Sequence, residues 1–272
     1  MVYRHLDIGT AKPSPRELGL VPHHLVDILD PKQPYTAGDF RRDVELALRD
    51  IHSRGARALI VGGTGFYLKA LTHGMWDAPK SPPELRARLE AHQSSDLFRT
   101  LEEKDPAAAQ KIGPGDRYRL VRALELIETT GQRVSELEKN HATRPVAPHL
   151  HLLVIDRETE ELEKRIADRT DQMLQAGLLD EVSTAEKKWG AVRPLEAVGY
   201  AQCVAYLKGV PPEGRKLRPG LPGLHDEIVL ATRQLVKRQR TWFKGIDGAE
   251  RFTLPSEANL VNDRLQEIYE AL

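Results

Sequence analysis

Cations recur at helical spacing in three places along this chain, and each spacing suits phosphate. In "IVLATRQLVKRQRTWFK" (228–244), Arg233, Lys237, Arg240 and Lys244 fall on one stripe of a 3.6-residue helix, with Leu235 and Trp242 opposite. No acid interrupts residues 231–244. A solvated helix face normally mixes signs, so binding of a phosphate backbone is favoured over a merely basic surface. In "GDRYRLVRALE" (115–125), Arg119 and Arg122 sit three apart beside Tyr118, an aromatic suited to stacking on a splayed base. Taken alone, that pair reads equally as an exposed helix face. In "RIADRTDQM" (165–173), Arg165 and Arg169 are one turn apart. They could clamp a diphosphate through forked donors, or be neutralised on the surface by Glu163, Asp168 and Asp171.

A fourth candidate is a loop, "ALIVGGTGFYLKAL" (58–71). Glycines after a strand let backbone approach an anion, and the helix that follows offers unpaired N–H groups. A tight strand-to-helix turn explains Gly62, Gly63, Thr64 and Gly65 as well, since the run is neither a dinucleotide fingerprint nor a phosphate-loop lysine motif. His23 and His24 in "PHHLVDILDP" lack the spacing of metal ligands and are assigned a packing role.

The elements that must position these residues follow an α/β grammar. Thr36 and Asp39 have capping-box spacing at the head of an amphipathic helix that stops at Gly55. Ala58–Val61 has the continuous apolar character of a strand covered on both faces, and "HLLVID" (151–156) repeats it. Between them the signals are helical: Ser81 and Glu84 as a capping box with Pro82 at the first helical position, Asp105–Pro106 as another start, and a helix ending at Gly131. A further helix spans Thr159 to Gln175, closed by Gly177, and a Pro/Gly-rich loop (209–223) precedes the basic helix. The expected division is residues 1–78 and 149–272 as an α/β core and 79–148 as a helical insertion.

Composition narrows the function classes. The 272 residues carry 40 Lys plus Arg against 40 Asp plus Glu, so an acidic partner must be met by a local patch. The single cysteine, Cys203, leaves no disulfide framework and no cysteine-based zinc site, which fits the cytoplasm. No apolar window suits a membrane span, and no apolar surface stripe asks for a partner, so a monomer is expected.

With these residues in hand, the chain resembles the tRNA dimethylallyltransferase (tRNA isopentenyltransferase) family over nearly its whole length. "VYRHLDIGTAKPS", "PHHLVDILDP", "LIVGGTGFYLKAL", "GDRYRLVRALE", "EAVGY" and "ATRQLVKRQRTWFK" occur in the family's order and spacing. The resemblance implies a P-loop NTPase-like parallel-sheet core carrying a helical insertion. It implies transfer of a dimethylallyl group from dimethylallyl diphosphate to N6 of the adenosine 3′-adjacent to the anticodon in tRNA, with Mg2+ assisting.

It also implies roles for particular residues. Thr64, Arg86, Tyr118, Arg119, Leu120, Val121 and Arg122 match positions that touch tRNA. So do Glu196, Ala197, Val198, Gly199, Tyr200 and Ala201, and the run Lys237, Arg238, Gln239, Arg240, Thr241, Trp242, Phe243 and Lys244. Arg169 matches an arginine that holds the donor diphosphate, and Thr64 is taken with it as catalytic. No metal ligand is carried over.

Against the family pattern the chain reads as N-terminally truncated. The Gly-rich loop ending in Gly-Lys-Ser/Thr, the first strand and the general-base aspartate would all precede "VYR", so no general base is expected within these residues. Either the native product begins upstream and is an ordinary transferase, or the chain is a catalytically inactive tRNA-binding remnant, or it is a fragment that does not fold stably. Prenylation of free adenine nucleotides suits the helical insertion and basic helix less well than a macromolecular acceptor.

Overall fold

The structure, a computed structural model, describes residues 1–74, 81–142, 150–210 and 218–271. In chain order its elements are α1 (Pro15–Leu20), α2 (Ala37–Ser53), α3 (Gly65–Thr72), α4 (Pro83–Glu90), α5 (Ser94–Lys104), α6 (Pro106–Ile112), α7 (Arg117–Thr130), α8 (Val134–Ala142), β1 (Leu153–Arg157), α9 (Thr159–Gln175), α10 (Leu178–Trp189), α11 (Tyr200–Leu207), α12 (Gly220–Lys244), β2 (Glu250–Leu254) and α13 (Ala258–Ala271). The chain divides into two compact units, Met1–Tyr67 with His151–Leu272, and Leu68–Leu150.

The helix ends follow from capping chemistry. Thr36 Oγ1 accepts from the Asp39 amide while the Asp39 carboxylate accepts from the Thr36 amide, so α2 begins on a reciprocal capping box. Asp105 caps α6 and Asp116 caps α7, which ends on Gly131 in the left-handed region at φ 69°. Ser81 does not cap α4: Pro82 stands at its N-cap, and the Ser81 hydroxyl instead accepts from Arg122 Nη1 at 3.2 Å. The basic helix begins earlier than its sequence pattern suggests, at Gly220, because Pro222 lies in the first turn, where a missing N–H costs nothing. Residues 211–217 of the expected Pro/Gly-rich loop, and the expected insertion boundary near 148, lie outside the described residues.

In the first unit, β1 pairs in parallel with β2, with Leu153 opposite Glu250 and Arg157 opposite Leu254. Leu6, Leu178, Val182, Leu195, Tyr200, Cys203, Leu224 and Ile228 form its core. Burial there pushes the Cys203 thiol pKa up to about 12, so this cysteine is an inert packing group. In the second unit, Leu89, Leu97, Leu101, Leu120, Val121, Leu124 and Leu126 close a helical core. Asp105 ties its helices together, accepting from the Ala108 amide at 3.1 Å and the Ser135 amide at 2.8 Å.

Two local expectations fail. Residues 58–61 form no strand, and Leu59 and Val61 are 75% and 85% exposed. Apolar sequence sets the potential for a strand, but the strand itself needs a partner backbone, and among the described residues none pairs with this run. His23 and His24 are exposed rather than packed; His23 Nδ1 lies 2.7 Å from the Val21 carbonyl, a contact within its own turn.

Candidate functional site

The glycine loop and the basic helix meet. The Gln239 side-chain amide donates to the Gly63 carbonyl at 2.9 Å. A Cβ on Gly65 would lie 2.1 Å from the Trp242 ring, so only glycine lets α3 start this close to α12. The glycines therefore serve a close approach to an indole, which places the exposed Thr64 beside the cationic end of α12. The Thr64 carbonyl accepts from the Tyr67 amide, which leaves its hydroxyl at the surface.

The stripe on α12 is not uniform. Arg233 pairs with Glu163 at 3.3 Å. Arg240 donates to Asp156 at 2.9 Å, to Thr159 Oγ1 at 3.2 Å and to the Arg157 carbonyl at 2.6 Å. Arg240 is thus a strut joining β1, α9 and α12. Lys237, Arg238 and Lys244 are exposed and make no ion pair among the described residues. Thr241 is exposed, and Trp242 and Phe243 pack edge to face at 5.2 Å.

The acids of α9 have partners of their own. Asp168 is taken by Lys164 at 2.6 Å, Asp171 faces His225 at 3.5 Å, and Glu163 is taken by Arg233. None of these acids pairs with Arg169, which is exposed without an ion pair among the described residues. Arg165 keeps a long contact to Glu161 at 3.8 Å.

Arg169 and Thr64 are not brought together. Glu163 lies opposite Arg233 and Thr159 opposite Arg240, so α9 and α12 run antiparallel. Arg169 therefore sits about 15 Å along α9 from the level of Arg240, at the rise of 1.5 Å per residue. Thr64, held at Gln239 and Trp242, belongs to the other end.

In the second unit, α4 and α7 carry a compact cluster. Glu125 is 1% exposed and accepts from Arg122 Nη1 at 3.1 Å through Oε2. Arg86 Nη1 lies 3.6 Å from Oε1, Arg86 Nε donates to Glu90 at 2.8 Å, and the Arg86 guanidinium sits over the Tyr118 ring at 5.8 Å. Tyr118 is 55% exposed. Arg119 reaches back to Asp116 at 3.3 Å. Leu120 and Val121 are core side chains: the helix period that presents Tyr118, Arg119 and Arg122 turns these two inward.

The "EAVGY" stretch divides the same way. Glu196 and Ala197 are exposed, Val198 and Ala201 are half-buried, and Gly199 and Tyr200 are buried. The Tyr200 hydroxyl donates to Glu181 at 2.6 Å, and burial followed by that carboxylate raises its pKa. Tyr200 is thus a core strut. Glu181 also accepts from the amides of Asp7 at 2.7 Å, Ile8 at 2.9 Å and Gly9 at 3.2 Å. Sequence reading missed both Glu125 and Glu181. For Glu125 the available signal was an acid set between Leu124 and Leu126 in a helical stretch; Glu181, beside Asp180, carries no such signal.

Among the described residues, no three His, Cys, Asp or Glu side chains are placed to hold a metal ion together. No step below is routed through an ion. Nor is any helix among them long and apolar enough to cross a membrane.

Residues 1–246 match the model of the IPP transferase family. The chain is 42% identical over 247 residues to tRNA dimethylallyltransferase 1 of Citrifermentans bemidjiense, covering 89% of this chain and 77% of that one. It is 41% identical over 265 residues to the tRNA dimethylallyltransferase of Alkalilimnicola ehrlichii, covering 95% and 81%. Among solved structures, the full-length tRNA isopentenylpyrophosphate transferase of Bacillus halodurans superposes with a TM-score of 0.66 at 30% identity, over 99% of this chain and 87% of that one. A eukaryotic dimethylallyltransferase described as acting on tRNA superposes with a TM-score of 0.74 at 25% identity, over 94% and 66%. The α/β core with its helical unit is therefore the fold of the tRNA isopentenyltransferases, and the chain belongs to the IPP transferase family.

Proposed function

We propose that this protein transfers a dimethylallyl group from dimethylallyl diphosphate to N6 of the adenosine 3′-adjacent to the anticodon of tRNA. The observation that carries this reading is the junction of the glycine loop with α12, where Gly63 and Gly65 pack on Gln239 and Trp242 of the helix that carries the exposed cations Lys237, Arg238 and Lys244. Exposed cations without an ion pair among the described residues suit a phosphate backbone: they release counterions on binding and draw the polyanion in from a distance. Arg86, Tyr118 and Arg122 supply the complementary contact, in which a ring and two guanidinium planes receive unstacked bases of a loop.

In the reaction a bond forms between N6 and the allylic carbon, the bond from that carbon to the diphosphate oxygen breaks, and a proton leaves the amine. Negative charge grows on the departing diphosphate. A fork-shaped donor with no acid to satisfy it, such as Arg169, stabilises charge where it develops. Magnesium belongs to this reading as a companion of the donor's diphosphate, since it is commonly bound through one or two carboxylates together with substrate phosphates. The protein works in the cytoplasm as a monomer.

The test is incubation of the purified chain with labelled dimethylallyl diphosphate, magnesium and tRNA, followed by nucleoside analysis. Label on adenosine, lost when the adenosine beside the anticodon is replaced, supports the reading. Saturable tRNA binding with no label transferred would leave an RNA-binding protein in its place. An Arg169→Ala variant should raise the KM for the donor while leaving tRNA affinity unchanged.

A further inference from the structure

Glu125 is an expensive residue where it stands. Its carboxylate is buried in a helical core beside Leu124 and Leu126, and Oε1 accepts no hydrogen bond. Burying a charge costs several kcal/mol per ion, roughly, and an apolar side chain of similar size would pack there without that cost. What the carboxylate touches is a pair of cations from two helices: Arg122 through Oε2 at 3.1 Å, and Arg86 beside Oε1 at 3.6 Å. The two guanidiniums are about two-fifths exposed, with side-chain exposures of 39% and 42%. Each has five N–H donors, of which the protein engages only a few.

We infer that Glu125 is a positioning residue for the RNA-binding face of the helical unit: it tethers Arg86 and Arg122 so that their remaining donors, with the Tyr118 ring, form a fixed platform for an unstacked nucleotide and its phosphate. This rests on the proposed tRNA reading and names the residue that sets the geometry of the surface. Untethered, two long side chains of like charge would spread over many rotamers and lose that freedom on binding. Tethered from below, they stay apart at a set spacing. Ser81 accepts from the same Arg122 Nη1 that Glu125 holds, and Glu90 fixes the Nε edge of Arg86.

The sign of the effect separates positioning from electrostatics. Glu125→Gln removes a negative charge beneath a phosphate-binding surface, so by charge alone tRNA should bind more tightly. Positioning predicts the opposite, affinity weakened about tenfold despite the added positive charge. The experiment is equilibrium binding of tRNA to the full chain, comparing wild type, Glu125→Gln, Arg86→Ala/Arg122→Ala and the triple variant, with thermal unfolding alongside. The inference expects Glu125→Gln to weaken binding in the wild-type background and to change nothing once both arginines are gone. Unchanged or tighter binding by Glu125→Gln, or an equal loss in the arginine-free background, overturns it. If the arginine-free protein binds as well as wild type, the RNA reading of this face fails, and the inference with it. Should Glu125→Gln fail to fold, Glu125→Asp carries the same comparison: it keeps the charge and shortens the reach, and weaker binding is again expected.

Discussion

The protein presents cations in two ways. In the helical unit, Arg86 and Arg122 converge on a buried carboxylate and are held at a set spacing beside an exposed ring. On α12, Lys237, Arg238 and Lys244 stand exposed with no ion pair among the described residues, while their neighbours Arg233 and Arg240 are spent on α9 and β1. The first arrangement is stiff, forked and locally neutralised. The second is exposed and keeps its charge without an ion pair among the described residues. Fixed forks suit register and recognition, whereas loose point charges suit attraction of a polyanion from a distance. The difference teaches that cation spacing alone says little about role; the acids beneath the cations decide it.

The largest expected effect breaks the stiff side. Asp105→Ala removes a buried cap that also holds the Ser135 amide, and should cost about 3 kcal/mol in a denaturant titration. Burial alone would raise the Asp105 pKa, but the Ser135 amide and hydroxyl, the Ala108 amide and Arg133 outweigh it and hold it below the usual carboxylate value. A depressed pKa contributes stability that is present above the unfolded value and lost as pH falls through the folded one. The gap between wild type and Asp105→Ala should therefore close below about pH 4.

Next comes Arg240→Ala. As a strut it should lower stability by about 2 kcal/mol, with little change in the salt dependence of tRNA binding. A flattened salt slope with unchanged stability would return Arg240 to the group of loose cations. Exchanging the two cation types sharpens the contrast further. Arg122→Lys keeps the charge and loses the fork, and should weaken tRNA binding about tenfold, whereas Lys237→Arg should be close to neutral. The smallest effect belongs to Lys237→Ala: a loss of about threefold in affinity, with a log–log salt slope shallower by just under one.

Much of this was legible in the sequence where the cause is local. Thr36 with Asp39, the stop at Gly131, and the span Thr159–Gln175 were readable because capping and helical period act within a few residues. What escaped depends on distant partners. The run 58–61 has the composition of a strand, yet β1 became one because β2, nearly a hundred positions later, lies against it. Arg240 looked available because Asp156 is 84 residues away in sequence. Tyr200 sits in a motif that suggested contact, but Glu181 draws it into the core. Ser81 failed as a cap through a shift of one residue, since Pro82 took the N-cap position ahead of Pro83.

The most direct measurement is the affinity of the intact chain for tRNA across a range of salt concentrations. Two kinds of cation on one RNA-binding protein predict saturable binding that weakens linearly in log Kd against log salt, together with a remaining dependence on the sequence of the anticodon loop at high salt, where the loose lysines are screened. Absence of saturable binding, or binding indifferent to both salt and loop sequence, would contradict the account.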